Sequence, residues 1–343
     1  MNRFSWATPR TVSEAAAATS STVADAMSGS ADAAARDVSL VKGGGIDLLD
    51  LMKENLLSAG MLVNLHDIPG LDAIAEEPDG SLRVGPMVTL AHLAEHSMVR
   101  QRYPALFDAV RSSASPQIRN VATLGGNLLQ RPRCWYFRAV EHHCLRKGGD
   151  HCFALVGENQ YHAIFGNDSC AIVHPSTAAT ALVALGAKIE LTNAQGTVRR
   201  VLLDEFFVPP ERDIERENDL RAHEILTAVL LPRMKTGVRM AHLKQGEKDS
   251  FDWSLADVAV VLELDSTGRC EHAAIVLGAA APVPYRAKGA EAALIGKRLE
   301  RDVAEQAANA ALKDATPLAK NAYKVPLFAT LVRRAILKAI GHA

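Results

Sequence analysis

The chain has 343 residues, 48% of them hydrophobic and 22% charged, with a formal net charge of -1. That composition supplies more than one core and suits two or three domains, and the near-neutral balance leaves no basic footprint for nucleic acid. No apolar run reaches the roughly 18 residues that a membrane-spanning helix needs, and MNRFSWATPRTVSEAAAA has no apolar block long enough for a signal peptide. The expected compartment is the cytoplasm.

In chain order, Thr11 and Glu14 have capping-box spacing before an alanine-rich segment of high helix propensity. Residues 19–37 read as spacer, either extending that helix or forming a loop. VSLVKGGGIDLLDLM then reads as strand, tight glycine turn and helix. MLVNL is a strand, and LDAIAEEPDGSLRVGPMV a hairpin about its Pro-Asp-Gly turn. TLAHLAEHSMV and LFDAVRSSA are short helices, followed by a second glycine turn in NVATLGGNLLQ. STAATALVALG is a helix ending at Gly186, KIELTNAQGTVRRVLL a hairpin, and EILTAVLLP a strand. From about 236, VRMAHLK, LADVAVVLEL and CEHAAIVLGA predict a small antiparallel sheet, with helices to the C-terminus.

Two features carry chemistry. The turns at Lys42–Asp47 and Thr123–Asn127 let backbone approach a ligand closely and aim successive amides at one anion, for which a diphosphate is the natural guest. Neither matches the Gly-x-Gly-x-x-Gly fingerprint or a Walker A loop, and each is also readable as a purely structural turn. Cys134, Cys144, Cys152 and Cys170 fall within 37 residues, while Cys270 stands alone as a small residue entering a strand. In a reducing cytoplasm such a group of four suggests a metal site. A short Cys-x2-4-Cys knuckle, usual for zinc, is missing, and four thiolates on a long loop suit a [4Fe–4S] cubane. Arg131, Arg133, Arg138, Arg146 and Lys147 would offset the negative charge of such a cluster. His142, His143, His151 and His162 are either replacement ligands or solvated loop residues. Spacing alone leaves cluster, zinc and free thiols open.

The strings KGGGIDLLDLM, SPQIRNVATLGGNLLQ and HPSTAATALVALGA, in that order, resemble the FAD-binding medium subunits of the molybdenum hydroxylases, the xanthine dehydrogenase and carbon monoxide dehydrogenase family. Phe4, Pro9, Val12, Glu14 and Ala15 fit the same pattern, as does LKQGEKDSFDWSLADVAVVLEL, so the resemblance spans nearly the whole chain. LLQRPRCWYFRAVEHHC is similar to the aldehyde oxidoreductase branch, whose flavin subunit holds an added [4Fe–4S] cluster after the second glycine motif; 4-hydroxybenzoyl-CoA reductase shares that idea.

The resemblance implies an α+β fold: two α/β subdomains of the PCMH type around FAD, and a C-terminal domain of antiparallel sheet and helices. The expected boundaries are 1–60, 61–233 with the iron–sulfur loop at 131–170, and 234–343. Carried over, Lys42, Gly43, Gly44, Gly45, Ile46, Asp47 and Leu48 surround the FAD diphosphate. Ala122, Thr123, Gly125, Gly126 and Asn127 lie against the flavin and ribityl side. Thr89 and Ser176 contact the cofactor, Lys244 lies near the isoalloxazine, and Cys134, Cys144, Cys152 and Cys170 ligate the cluster. Thr177 departs from the family, which has Asp there.

The implied function is an oxidoreductase subunit without catalytic residues of its own. A molybdenum-cofactor large subunit would oxidise an aldehyde or aromatic heterocycle, and a [2Fe–2S] small subunit would relay electrons through FAD to an external acceptor. Such complexes include some exported folded on a partner's signal. One rival reading is a zinc-stabilised binding or assembly module without redox activity. Another is a stand-alone flavin oxidase of the vanillyl-alcohol type, against which no His adjoins Gly43–Gly45.

Overall fold

A computed structural model describes residues 1–28, 38–248 and 250–341. Residues 29–37 of the spacer lie outside the described residues; its first part holds a short helix, Val23–Ser28, separate from the preceding one. The fold is mixed helix and sheet, in two compact units. One comprises residues 1–90, 117–153 and 187–231, and the other 91–116, 154–186 and 232–343.

The first unit opens with strand β1 (Ser5–Ala7) and a helix, Val12–Ala18, whose Thr11 hydroxyl accepts the Glu14 amide at 3.1 Å. Glu14 in turn accepts the Arg10 amide, so the sequence-level cap is realised nearly as a capping box. Strands β2 (Ser39–Lys42) and β3 (Met61–Asn64) join β1 in a parallel sheet ordered β1-β3-β2. Between them, the helix Ile46–Lys53 buries Leu48, Leu51 and Met52, three and four residues apart, against Leu40 and Leu62.

A second, antiparallel sheet follows from β4 (Ile74–Glu76), β5 (Leu82–Val84), β6 (Lys188–Asn193), β7 (Val198–Leu202) and β8 (Glu224–Leu231), in the order β4-β5-β8-β6-β7. Both expected hairpins are present, and Gly80, at φ 81°, supplies the left-handed residue of the first turn.

The second unit is built on β9 (Arg239–Gln245), β10 (Ala256–Leu264), β11 (Cys270–Gly278) and β12 (Tyr285–Arg286), antiparallel in the order β12-β11-β10-β9. Helices Lys288–Leu294, Arg301–Ala311 and Lys324–Ala339 share its core through Leu294, Ala307, Phe328 and Ile336. The helix Thr177–Ala184 is buried along its whole length. A side chain at Gly278 would come within 2.3 Å of Thr180, so only glycine admits that approach. Cys270 is buried at the start of β11, its thiol pushed up to about 11 by burial, which supports the plain reading of a small core residue. His162 corrects the solvated-loop reading: it is 3% exposed, and burial together with nearby Lys324 lowers it to about 4.

In the first unit the chain between 131 and 153 is held by buried ionic contacts. Arg131 and Arg146 are each 2% exposed and both donate to Oε1 of Glu217, each at 2.8 Å. Arg131 also reaches the Glu215 carbonyl at 2.6 Å. A second latch joins this stretch to the helix after the first glycine turn. Asp47 accepts the Arg131 amide at 2.8 Å and pairs with Arg133 at 2.8 Å and Arg138 at 2.6 Å, while Asp50 pairs with Arg138 at 3.0 Å.

Removing Glu217 leaves two buried guanidinium groups without their carboxylate, so Glu217→Ala is expected to cost about 3–5 kcal/mol in urea unfolding. A cost below about 1 kcal/mol would show that the shared carboxylate does not hold the loop. Acid behaviour gives a second test. Full burial lowers His174 to about 3, and His162 stands at about 4, against 6.5 for an unperturbed ring. The unfolded chain therefore binds these protons first, and stability falls as pH drops from about 6.5 toward 4. Urea midpoints at several pH values should show this slope, and His174→Asn should flatten it; an unchanged slope would contradict the assignment.

Candidate functional site: two glycine turns and a cysteine loop

The first glycine turn follows β2 directly. Gly45 adopts φ 83° and caps the helix Ile46–Lys53 without a side-chain hydrogen bond. No acceptor among the described residues takes the amides of Gly43, Gly44, Gly45, Ile46 or Asp47. Five consecutive unengaged donors at a helix N-terminus are of the kind that suits an anion. Lys42 stands over it: its Nζ donates to the Gly43 carbonyl at 3.0 Å and to Asn64 at 3.4 Å, and lies 5.3 Å from the Trp6 ring. Burial pushes the lysine below its ordinary value. Ile46 is 40% exposed, whereas Leu48 turns into the core, so only its backbone faces the turn. The carboxylate of Asp47 is taken up by Arg131, Arg133 and Arg138, which makes Asp47 a link between the turn and the cysteine loop.

The second turn packs on the first. A Cβ built on Gly44 would lie 2.1 Å from the Val121 carbonyl oxygen, and one on Gly43 would lie 2.9 Å from Thr123 Oγ1. The glycines of the first turn are therefore required by the contact between the turns as much as by any ligand. Within the second turn most donors are already used, the amide of Thr123 excepted. Gly125 N–H donates to Pro86 O at 2.8 Å, Gly126 N–H to Thr123 Oγ1 at 3.2 Å, and Asn127 N–H to Thr123 O at 2.8 Å. Thr89 pairs with Thr123 as an isolated antiparallel bridge, and Leu90 N–H donates to Ala122 O. Lys42, Thr89, Ala122, Thr123 and both sets of glycines thus lie in the same unit, with five consecutive unengaged amides on the first turn and that of Thr123 on the second.

Ser176 and Lys244 belong to the second unit. Ser176 is buried and caps the helix Thr177–Ala184, its hydroxyl accepting the Ala179 amide at 3.0 Å, and Thr177 occupies the first helical position, also buried. Lys244 Nζ donates to the carbonyls of Ser112 and Asp252, at 2.8 and 2.7 Å, and burial lowers its pKa. Phe251 and Trp253, before β10, are 57% and 55% exposed.

Three of the four clustered cysteines lie in the first unit. Cys134 stands at the N-cap of the short helix Trp135–Arg138, and with Cys144 it packs in the core beneath the helix Ile46–Lys53. The loop then winds on itself. Cys144 N–H donates to His142 O, Leu145 N–H to His151 O, and the amides of Lys147 and Gly149 both donate to Cys144 O. Cys170 is buried in the second unit, and none of the five cysteines is joined in a disulfide. Among the described residues, no three His, Cys, Asp or Glu side chains converge on one ion position.

A cubane takes one thiolate per iron and does not need ligands drawn to one point. The surroundings of the loop suit an anion. Arg131 and Arg146 share a single carboxylate, and Arg131 Nε and His142 Nδ1 are buried without a hydrogen-bond partner among the described residues. Lys147 is lowered by burial, against the opposing pull of Cys144, Cys134 and Glu141. Sequence reading missed Glu217 and Asp50: nothing in ERDIEREND distinguishes the glutamate that two arginines share from its charged neighbours.

Residues 2–234 match the family described as FAD binding domain in molybdopterin dehydrogenase, and residues 241–339 match the CO dehydrogenase flavoprotein C-terminal domain. The aldehyde oxidoreductase FAD-binding subunit PaoB of Escherichia coli (strain K12) is 33% identical over 302 residues, covering 88% of this chain and 90% of that protein. The carbon monoxide dehydrogenase medium chain of Hydrogenophaga pseudoflava is 27% identical over 338 residues, covering 97% and 96%. A solved carbon monoxide dehydrogenase of Hydrogenophaga pseudoflava, in a form lacking the Mo-pyranopterin moiety, aligns with a TM-score of 0.73 at 26% identity, covering 100% of this chain and 99% of that chain. No helix among the described residues is long and apolar enough to cross a membrane. The chain belongs to the family of FAD-binding subunits of the molybdenum hydroxylases and is an oxidoreductase subunit.

Proposed function

We propose that this chain is the FAD- and [4Fe–4S]-binding electron-transfer subunit of a heteromeric molybdenum hydroxylase. It would accept electrons from a [2Fe–2S] subunit, served by a molybdenum-cofactor subunit that oxidises an aldehyde or aromatic heterocycle, and deliver them to an external acceptor. Its relatives are named as an FAD-binding subunit and a medium chain, which supports a place in a larger assembly. The FAD reading rests chiefly on the five unengaged amides of Gly43–Asp47, which together with the family match suit a diphosphate.

When bound, FAD and an iron–sulfur cluster supply the electron chemistry; the protein's share is to position them and tune their potentials. In this reading the Gly43–Asp47 amides hold the diphosphate, and Lys42 adds a cation beside it. Thr89, Ala122, Thr123, Gly125, Gly126 and Asn127 line the flavin side, joined by Ser176 and Lys244. Cys134, Cys144, Cys152 and Cys170 hold the cluster, supported by the donor surplus at Arg131 and His142. Asp47 then couples the two sites: its backbone belongs to the diphosphate cradle while its carboxylate holds the cysteine loop.

Gly44→Val tests the assignment of the cradle. The Cβ would collide with Val121 O, parting the two turns, so the variant should lose most of its flavin and keep its iron. Flavin and iron assays, with circular dichroism as a check on folding, read this out. Full flavin retention would overturn the cradle, whereas joint loss of both groups with a collapsed spectrum would trace the defect to unfolding.

A further inference from the structure

Three aromatic rings, one beside each cysteine of the first unit, meet within the cysteine loop. Tyr136 follows Cys134 by two residues, His142 precedes Cys144 by two, and Phe153 follows Cys152 directly. Tyr136 and Phe153 stack with centroids 5.8 Å apart and 22° between planes. His142 meets both edge-on, at 5.1 Å and 76° from Tyr136 and at 5.0 Å and 82° from Phe153. His151 lies against Phe153 at 4.2 Å. Side-chain packing thus ties together the three chain segments that carry the thiols, and two nearly perpendicular contacts fix the plane of the His142 ring.

Backbone bonds fix its position as well. His142 N–H donates to Ala139 O, and its own carbonyl accepts the Cys144 amide at 2.9 Å. Nevertheless, Nδ1 of this immobilised ring is buried and has no hydrogen-bond partner among the described residues. A buried ring nitrogen left bare is costly; when it carries the proton it needs an acceptor, and beside three thiols the cluster reading supplies one as sulfur. Ligation by His142 is the competing use, but four cysteines already complete the set a cubane requires.

We propose that His142 is a positioning residue of the iron–sulfur site, its Nδ1–H donating a hydrogen bond to a cluster sulfur, either sulfide or cysteinate. This inference rests on the cluster reading of the four cysteines. A donor to sulfur stabilises the more negative, reduced state and so raises the reduction potential. The aromatic contacts keep the donor aimed, so no reorganisation is needed when an electron arrives.

The test uses the full chain, loaded with both groups and purified anaerobically. His142→Phe keeps a ring of similar size between Tyr136 and Phe153 and removes the donor; His142→Asn keeps an N–H near the same place. Iron content, the midpoint potential, and exchangeable-proton couplings of the reduced cluster in H2O and D2O are measured on each. The expected result for His142→Phe is full iron, the loss of one exchangeable coupling, and a potential lower by about 59 mV, a tenfold shift in the one-electron reduction equilibrium. His142→Asn should recover part of both. Full iron with unchanged potential and couplings would overturn the inference, leaving the ring a packing element. Loss of iron from both variants would overturn it in favour of ligation or loop folding. An iron-free wild type would overturn the cluster reading itself, and this inference with it.

Discussion

A single carboxylate shared by two buried guanidinium groups organises the first unit. Glu217 meets Arg131 at the start of the cysteine loop and Arg146 within it, with all three side chains nearly excluded from solvent. Such an arrangement is costly to desolvate and is weak as a general source of stability, since well-packed apolar residues often serve as well. Its value is in position. Arginine forks accept only a narrow geometry, so the loop between 131 and 146 has one register with respect to the 215–217 segment. The same arginines leave that part of the unit with more donors than acceptors, and a thiolate-bound cluster is the kind of group that would balance them.

Asp47 extends this control to the glycine turns. Its carboxylate is spent on Arg131, Arg133 and Arg138, which fixes the helix Ile46–Lys53 and with it the amides that open its N-terminus. The contact between the turns sets the other boundary, because the Val121 carbonyl occupies the space that any side chain at Gly44 would need. One short stretch, Gly43–Asp47, therefore answers to two neighbours: the second glycine turn on one side and the cysteine loop on the other. A disturbance at either reaches the proposed diphosphate cradle, and this gives a physical reason for the two proposed cofactor sites to be built around one helix.

Much of the fold was legible because the sequence carries local instructions. Thr11 and Glu14 announced a helix start, Gly80 a hairpin turn, Gly186 a helix end, and the runs VRMAHLK and LADVAVVLEL a sheet, and each is realised. The glycine turns and the spacing of the cysteines were equally visible. What stayed hidden depends on partners distant in sequence. Glu217 sits 86 residues from Arg131, and nothing local distinguishes it from Glu211 or Glu215. His162 read as a solvated loop residue or a replacement ligand because it lies among the cysteines, yet its carbonyl is bonded by Asn321 and Lys324, more than 150 residues on, and the ring is buried. The second glycine turn looked like an amide cradle equal to the first, but Thr123 and Pro86 take the amides of Gly125, Gly126 and Asn127.

The most direct measurement is an absorption spectrum of anaerobically purified protein, with flavin and iron assayed on the same sample. Our account predicts flavin bands over a broad iron–sulfur absorption, with about four irons per chain, as one cubane requires. Flavin without iron would contradict the two-cofactor account and return the four cysteines to free thiols.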